Sequence, residues 1–147
     1  MPINIPRIQI AAMITHSMEE DPNECCGILL GQGDEVMGSR RMKNVHENKV
    51  SRYSMDPMEL MDVQRQADEA GQEFVAIYHS HTYTQGYPSE TDINNAVESG
   101  WTDPYYVLVS LVEKTRPVVR AYRISENRRV EEVVITTDGE AYRGAGG

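Results

Sequence analysis

The sequence predicts an α+β fold in which helices cover the faces of a central mixed β-sheet. Segments with strand-like apolar patterning outnumber the helical segments, and the helical segments interrupt the strands along the chain. At 147 residues, the chain has the length of one domain with its own core. We therefore expect a single domain over residues 1–137, followed by a flexible, glycine-rich C-terminal tail over residues 138–147.

Three segments have helical patterning. In the first, apolar residues recur at helical spacing. The second begins with an aspartate that can cap a helix and a proline, which is tolerated at the first helical position. The predicted helices run from Pro6 to the Asp21-Pro22 pair, from Asp56-Pro57 to Gly71, and from Ser89 to Gly100.

Short apolar segments bounded by turn residues predict the strands. A glycine closes the first strand, and Gln32-Gly33-Asp34 suits a hairpin turn into the second. The third leads directly into His79-Ser80-His81. The predicted strands cover residues 25–31, 35–45, 74–78, 105–112, 118–124 and 130–135.

The charge balance argues against a nucleic-acid partner. The chain has 14 Lys and Arg residues against 23 Asp and Glu residues, a formal net charge of −9 at pH 7, and no basic run that could neutralise phosphates. No apolar segment is long enough to span a bilayer, so no membrane association is expected. The adjacent Cys25 and Cys26 do not suit a disulfide, which favours reduced thiols and a cytoplasmic protein. The sequence gives no oligomeric state.

His79 and His81 are the first candidate metal ligands. Residues two apart on a strand point to the same face, so both imidazoles would project together from one edge of the sheet. Their rings could converge on one metal ion with bonds of ~2.0–2.1 Å. The pair alone fits a structural histidine equally well.

Asp92 is the third candidate ligand. Ser89 and Asp92 fit a helix-capping pattern, and capping would explain both residues without a metal. A helix that begins beside the end of the strand would nevertheless aim Asp92 back toward the histidines. Two histidines and one carboxylate leave a fourth position open, which distinguishes catalytic zinc sites from closed structural ones.

Glu24 is the candidate general acid/base. It precedes a buried strand, where a carboxylate could hydrogen-bond the attacking water and partial burial would raise its pKa. The alternative is a solvated surface acid, because Glu24 ends an acidic run that begins at Glu19. The residue pattern alone favours this alternative, since such runs are usually solvated.

Two segments together resemble a known family. His79-Ser80-His81, seven residues, and then Ser89-Glu90-Thr91-Asp92 resemble the signature of the JAMM, or MPN-plus, metalloproteases. Glu24-Cys25-Cys26-Gly27, with Leu30-Gly31, resembles the family's upstream segment, where a glutamate precedes a glycine-containing strand. The likeness covers nearly the whole chain, because a helix, a hairpin, a second helix and the catalytic strand occur in the family's order.

The resemblance implies a cytidine-deaminase-like mixed sheet and a role for each residue. His79, His81 and Asp92 would be the zinc ligands, and Glu24 would activate the attacking water. Ser89 would donate a hydrogen bond to the oxyanion. The segment between the histidines and Ser89 is short, as in compact prokaryotic members. Among these, the chain looks closest to peptidases that release cysteine from the C-terminal glycine of a sulfur carrier.

Three further residues are candidate substrate contacts. Tyr83 and Tyr87 flank the motif, although packing within a loop would also explain them. Asn44 follows the second strand and could line the groove, although it also fits a solvated turn. His16 lies far from the motif and is expected to be an ordinary surface or capping residue.

The predicted function is hydrolysis, with zinc, of an amide or isopeptide bond after the C-terminal glycine of a protein partner. That partner would be a small ubiquitin-like or sulfur-carrier protein ending in Gly-Gly, because such a tail is slim enough to reach the metal. Two alternatives stay open. One is a non-catalytic MPN-type scaffold with a vestigial zinc site, and the other is a general zinc hydrolase of small peptides.

Overall fold

A computed structural model describes residues 2–142 of the chain. Within that range, nine strands form one mixed sheet and three helices flank it, which confirms the predicted α+β fold. In chain order the elements are β1 (Ile3–Asn4), α1 (Arg7–Glu20), β2 (Cys26–Gln32), β3 (Glu35–Met42), α2 (Pro57–Glu69), β4 (Glu73–His81), α3 (Glu90–Glu98), β5 (Tyr105–Ser110), β6 (Val118–Ile124), β7 (Val130–Val133), β8 (Ile135–Thr137) and β9 (Glu140–Ala141).

The sheet curls strongly. In the described part of the chain its strand order is β7-β6-β5-β4-β2-β3-β1-β8-β9. Most neighbours are antiparallel, but β4 is parallel to β5, and β1 is parallel to both β3 and β8. Only Val134 separates β7 from β8, although these strands lie near opposite ends of the order. The two ends of the sheet must therefore approach each other.

The helices cover two separate apolar clusters. α1 packs on one cluster, while α2 and α3 pack on the other. No helix among residues 2–142 is long and apolar enough to cross a membrane. The buried helical residues that close the clusters are Ile10 and Met13 from α1, Val63 and Ala67 from α2, and Ala96 from α3.

Alternation along β4 decides which way the candidate ligands face. Tyr78 packs in the α1 cluster and Ile77 in the cluster of α2 and α3. His79 and His81 share the side of Ile77, because successive strand residues point to opposite faces. Both imidazoles therefore face the layer that contains α3.

The predicted strands are present, with two corrections. The strand predicted over residues 35–45 ends at Met42, and Asn44 forms only an isolated bridge with Met55. The strand predicted over residues 130–135 is two strands, because β7 pairs with β6 whereas β8 pairs with β1. The sequence does not predict β1, since two residues are too few to show a period.

Strand β9 extends the sheet beyond residue 137. Asp138 and Gly139 have positive φ angles of 52° and 82°, the backbone form of a tight hairpin turn that Asp-Gly favours. β9 then pairs with β8 in antiparallel orientation. The first residues of the expected tail thus belong to the sheet, and residues 143–147 lie outside the described residues. The domain boundary stays a prediction.

The structure corrects the expectation that His16 is an ordinary surface or capping residue. It is 2% exposed, and its Nδ1 lies 2.7 Å from the hydroxyl oxygen of Tyr78, so it is not a surface residue. Burial lowers the pKa of His16 to about 4, which keeps the imidazole neutral. Its spacing from Ile10 and Met13 places all three on the buried side of α1. That spacing was the available sequence signal.

We expect Gly27→Ala to destabilise the protein, because the ring of Tyr78 lies against Gly27 and would overlap a new Cβ. The loss in the free energy of unfolding should be about 1–3 kcal/mol, measured by urea denaturation. Gly38→Ala on the neighbouring strand is the matched control, since a Cβ there meets nothing within 4 Å. Equal losses in the two variants would contradict this account of Gly27.

Candidate metal centre

His79 and His81 end strand β4 in the interior of the protein. They are 1% and 4% exposed. On one side β5 pairs with them in parallel, placing Leu108 opposite His79 and Ser110 opposite His81. On the other side, β2 places Cys26 opposite His79. The backbone is thus held from both sides, and the two Nε2 atoms lie 3.1 Å apart.

Asp92 reaches the histidines from the first turn of α3. Ser89 caps this helix: its Oγ accepts from the Asp92 N–H at 3.0 Å, and Asp92 Oδ2 accepts from the Ser89 N–H at 2.9 Å. The same Oδ2 lies 3.2 Å from Nε2 of His79 and 3.0 Å from Nε2 of His81. Capping and ligand geometry therefore coexist, and the cap fixes the carboxylate against the two rings.

The three ligand atoms form a nearly equilateral triangle with sides of 3.0–3.2 Å. In a tetrahedral zinc site with bonds of ~2.0–2.1 Å, ligand atoms lie about 3.3 Å apart. In the neutral ring of His81, Nδ1–H donates to the carbonyl oxygen of Gln85 at 2.9 Å, so Nε2 presents its lone pair to Asp92. The lone pair of His81 Nε2 and the carboxylate oxygen of Asp92 then face each other as two acceptors. A cation between them would satisfy both, so the group fits a metal ion.

The surroundings of Asp92 favour its ionised form. Burial opposes its ionisation, but the charge of His79 and the hydrogen bonds of both histidines hold the pKa of Asp92 well below its usual range. Burial lowers the pKa of His79. Burial acts in the same direction on His81, but the hydrogen bond and charge of Asp92 outweigh it and raise the pKa of His81. A deprotonated carboxylate is the form that ligates metals.

Glu24 lies beside His81 at the same end of the sheet. Ser80 N–H donates to the Cys25 carbonyl at 3.1 Å, and Cys25 N–H donates to Ser80 Oγ at 2.8 Å. Continuing this antiparallel register by one residue brings Glu24 next to His81, and both residues line the same cleft. Glu24 is 7% exposed, so the alternative of a solvated surface acid is wrong. Burial raises the pKa of Glu24 to about 7, as expected for a general acid/base.

A cleft of about 170 Å³ opens beside the group, lined in part by Glu24, His81 and Ser89. Tyr83, which is 62% exposed, also lines this cleft. Tyr87 lines a neighbouring groove of about 420 Å³, where its ring lies 5.5 Å from that of Tyr122. Substrate contact by either tyrosine stays a prediction.

Asn44 organises the connection between β3 and α2, residues 43–56, which we call the front loop. Its Nδ2 donates to the carbonyl oxygens of Glu24 and Arg52 at 2.9 and 3.0 Å. Its Oδ1 accepts from the N–H groups of His46 and Ser54 at 3.0 and 3.1 Å. The amide is engaged with backbone atoms, which makes Asn44 a positioning residue for Glu24. Its contact with substrate stays a prediction.

Two other front-loop residues contact the site, although no sequence motif predicted them. The ring of Tyr53 stacks on His79, with centroids 4.4 Å apart and planes at 26°. Arg52 Nη1 donates to Thr91 Oγ1, on α3, at 2.8 Å. Sequence spacing does not connect these residues to β4 or α3. The available signal was the length of the loop, since long connections in compact domains often carry function.

Residues 6–125 match the family described as prokaryotic homologs of the JAB domain. The chain belongs to this family. The matched range contains His79, His81 and Asp92 as well as Glu24 and Ser89, and the mixed sheet has the expected MPN/JAMM-like α+β architecture.

Three similar proteins have names that state a cleavage activity. CysO-cysteine peptidase of Mycobacterium tuberculosis is 36% identical over 126 residues, covering 85% of this chain and 84% of that protein. A probable TtuB-protein conjugate cleaving protease of Thermus thermophilus is 30% identical, covering 89% and 82%. A desampylase of Haloferax volcanii is 30% identical, covering 71% and 81%.

Two solved structures share the fold over most of their length. A solution structure of a Desulfitobacterium hafniense protein superimposes with a TM-score of 0.79 and 29% identity, covering 94% of both chains. A solution structure of a Salinibacter ruber protein has a TM-score of 0.67 and 25% identity, covering 95% of this chain and 94% of that one.

We expect Asp92→Asn to weaken zinc binding by at least about 100-fold, because it removes the charged ligand atom. Competition with a chromogenic chelator measures this loss. Glu24→Gln is the control, since Glu24 lies outside the ligand triangle and its substitution should leave the affinity within about threefold of the original. Unchanged zinc affinity in Asp92→Asn would exclude this ligand set.

Proposed function

We propose that this protein is a zinc-dependent peptidase that hydrolyses the amide bond after the C-terminal glycine of a ubiquitin-like or sulfur-carrier protein. The observation that carries the proposal is the meeting of the His79–His81–Asp92 group with the buried carboxyl group of Glu24 at one end of the sheet. Two relatives are named for the cleavage of CysO-cysteine and of TtuB-protein conjugates. These names support both the proposed hydrolysis and the proposed class of protein partner.

Each residue has a part in the proposed reaction. His79, His81 and Asp92 would hold the zinc ion, which would supply Lewis acidity to the scissile carbonyl and to the attacking water. Glu24 takes a proton from the attacking water and passes it to the leaving nitrogen. Ser89 donates a hydrogen bond to the carbonyl oxygen as negative charge develops there. The C–N bond breaks, giving a glycine carboxylate and a free amine.

The surroundings of Glu24 suit both halves of this proton transfer. A pKa of about 7 lets the carboxyl group accept and donate protons near neutral pH. The Ser89 oxygen already accepts from the Asp92 N–H, so its own O–H is the group that can donate into the cleft. If the site were vestigial, as in a non-catalytic scaffold, the protein would not need Glu24 to transfer protons.

A Gly-Gly tail suits the size of the cleft. Glycine has no side chain, so an extended tail can enter a narrow space of about 170 Å³ and reach the metal ligands. Tyr83 at this cleft could cover the backbone of the tail with its ring.

We place the reaction in the cytoplasm, a location supported by the buried, unpaired Cys25 and Cys26.

We expect Glu24→Gln to lower kcat by about 1,000-fold, because the amide cannot relay a proton. Turnover of a carrier–cysteine adduct is followed by intact mass, with bound zinc measured in the same samples. Glu126→Gln, an exposed position on the β6–β7 connection, is the matched control and should keep full activity. Equal turnover by Glu24→Gln and the unmodified protein would rule out the assigned role.

We also expect a folded carrier to raise kcat/KM by at least about tenfold over a short peptide with the same Gly-Gly-cysteine end, because binding energy away from the reacting bond favours the true substrate. The two substrates are compared at equal zinc loading by the same mass measurement. Indifference to the carrier would instead support a general hydrolase of small peptides.

A further inference from the structure

Arg52 is the one lysine or arginine among the described residues that line the cleft beside Glu24, His81 and Ser89. The protein as a whole is acidic, with a formal net charge of −9, so a cation at this position is conspicuous. Its side chain is exposed at the mouth of the cleft, where a substrate could reach it.

The protein holds Arg52 at both ends. Its backbone N–H donates to the Asn48 carbonyl at 3.0 Å, and its carbonyl accepts from Asn44 Nδ2 at the same distance. At the far end, Nη1 donates to Thr91 Oγ1 at 2.8 Å. The guanidinium is thus fixed beside the first turn of α3 by one bond to a neutral group. A guanidinium has five N–H donors, so others are available to a ligand.

The charge of Arg52 is not neutralised by a neighbour. Among residues 2–142 it forms no salt bridge, whereas other arginines such as Arg41, Arg65 and Arg120 do. Its charge acts on Glu24 across the cleft, opposing the effect of burial on that carboxyl group. An arginine held beside a reacting centre without a carboxylate partner suits recognition of a carboxylate on the substrate.

We propose that Arg52 binds the α-carboxylate of the amino acid that leaves. The inference rests on the proposed function. Glu24 delivers its proton to the amide nitrogen, and in an α-linked amino acid the carboxylate carbon is only two bonds from that nitrogen. The carboxylate must therefore lie near Glu24, in the cleft that Arg52 lines. The favoured substrate class is a carrier glycine joined to the α-amine of a free amino acid.

An isopeptide to a lysine side chain differs at this point. Its leaving group is an ε-amine, and the lysine carboxylate is several bonds away or consumed in a peptide bond. It would leave Arg52 without a partner and would be a poorer substrate. Arg52 thus determines specificity by favouring a leaving group that carries a free α-carboxylate.

The test uses two adducts that differ only in the charge to be recognised. A carrier ending in Gly-Gly-cysteine is prepared as the free acid and as the cysteine amide, so any contact of the thiol cancels. The unmodified protein should cleave the acid with a kcat/KM at least about tenfold higher. Arg52→Gln should reduce this ratio to about one, and Arg52→Lys should leave part of it, because the charge stays while the planar fork is lost.

A matched control and a measurement of binding complete the test. Arg116→Gln, on the β5–β6 connection, removes a charge elsewhere and should keep the full ratio. Zinc-loaded Glu24→Gln is titrated by calorimetry with Gly-Gly-cysteine and its amide. The acid should bind at least about tenfold more tightly, and adding Arg52→Gln should abolish the difference.

The outcomes separate the two proposals. Cleavage of both adducts at equal rates, or a preference that survives Arg52→Gln, overturns the assignment of Arg52 and leaves the peptidase proposal standing. Failure to cleave any adduct overturns the peptidase proposal. In that case, tighter binding of the acid that depends on Arg52 would still support the carboxylate site, and its absence would overturn that site too.

Discussion

One carboxylate oxygen, Oδ2 of Asp92, joins the start of helix α3 to the end of strand β4. It accepts the Ser89 N–H and lies 3.0–3.2 Å from Nε2 of both histidines. Chain direction makes this contact possible, because α3 is the crossover between two parallel strands and must begin where β4 ends. Without the crossover, the helix cap and the metal ligand could not be the same atom.

Glu24, the proposed acid/base, reaches this point by a different route. Strand β2 is antiparallel to β4, and their register pairs Cys26 with His79. Continued by two residues, this register brings Glu24 next to His81, although 57 positions separate them in sequence. The segment that leads into β2 thus brings Glu24 to the site, while the crossover helix α3 brings Asp92. The interior position that raises the pKa of Glu24 follows from this pairing, together with the front loop that Asn44 holds against the Glu24 carbonyl.

Local sequence patterns predicted those features of the site that are set by residues close together in the sequence. Strand alternation put His79 and His81 on one face, and the spacing of Ser89 and Asp92 predicted their reciprocal cap. Glu24 needed a family resemblance, because its burial comes from a distant strand. The short strands β1 and β9, the approach of the sheet's two ends and the stacking of Tyr53 on His79 depend on long-range closure, which leaves no period in the sequence.

The front loop lies against the candidate centre and carries Arg52, the proposed specificity-determining residue. The candidate ligands and the proposed acid/base lie at or next to strand and helix ends, whose positions the sheet topology fixes. They therefore leave little freedom to distinguish one leaving group from another. Adjacent loop residues contact both sides of the centre: Tyr53 stacks on His79, and Arg52 bonds to Thr91 on α3. Asn44 secures the backbone of this segment. Arg52 is exposed and lies outside the ligand triangle, so we infer that a change at this loop position can alter which substrates fit, and that the loop is a place where members of one fold can diverge in substrate.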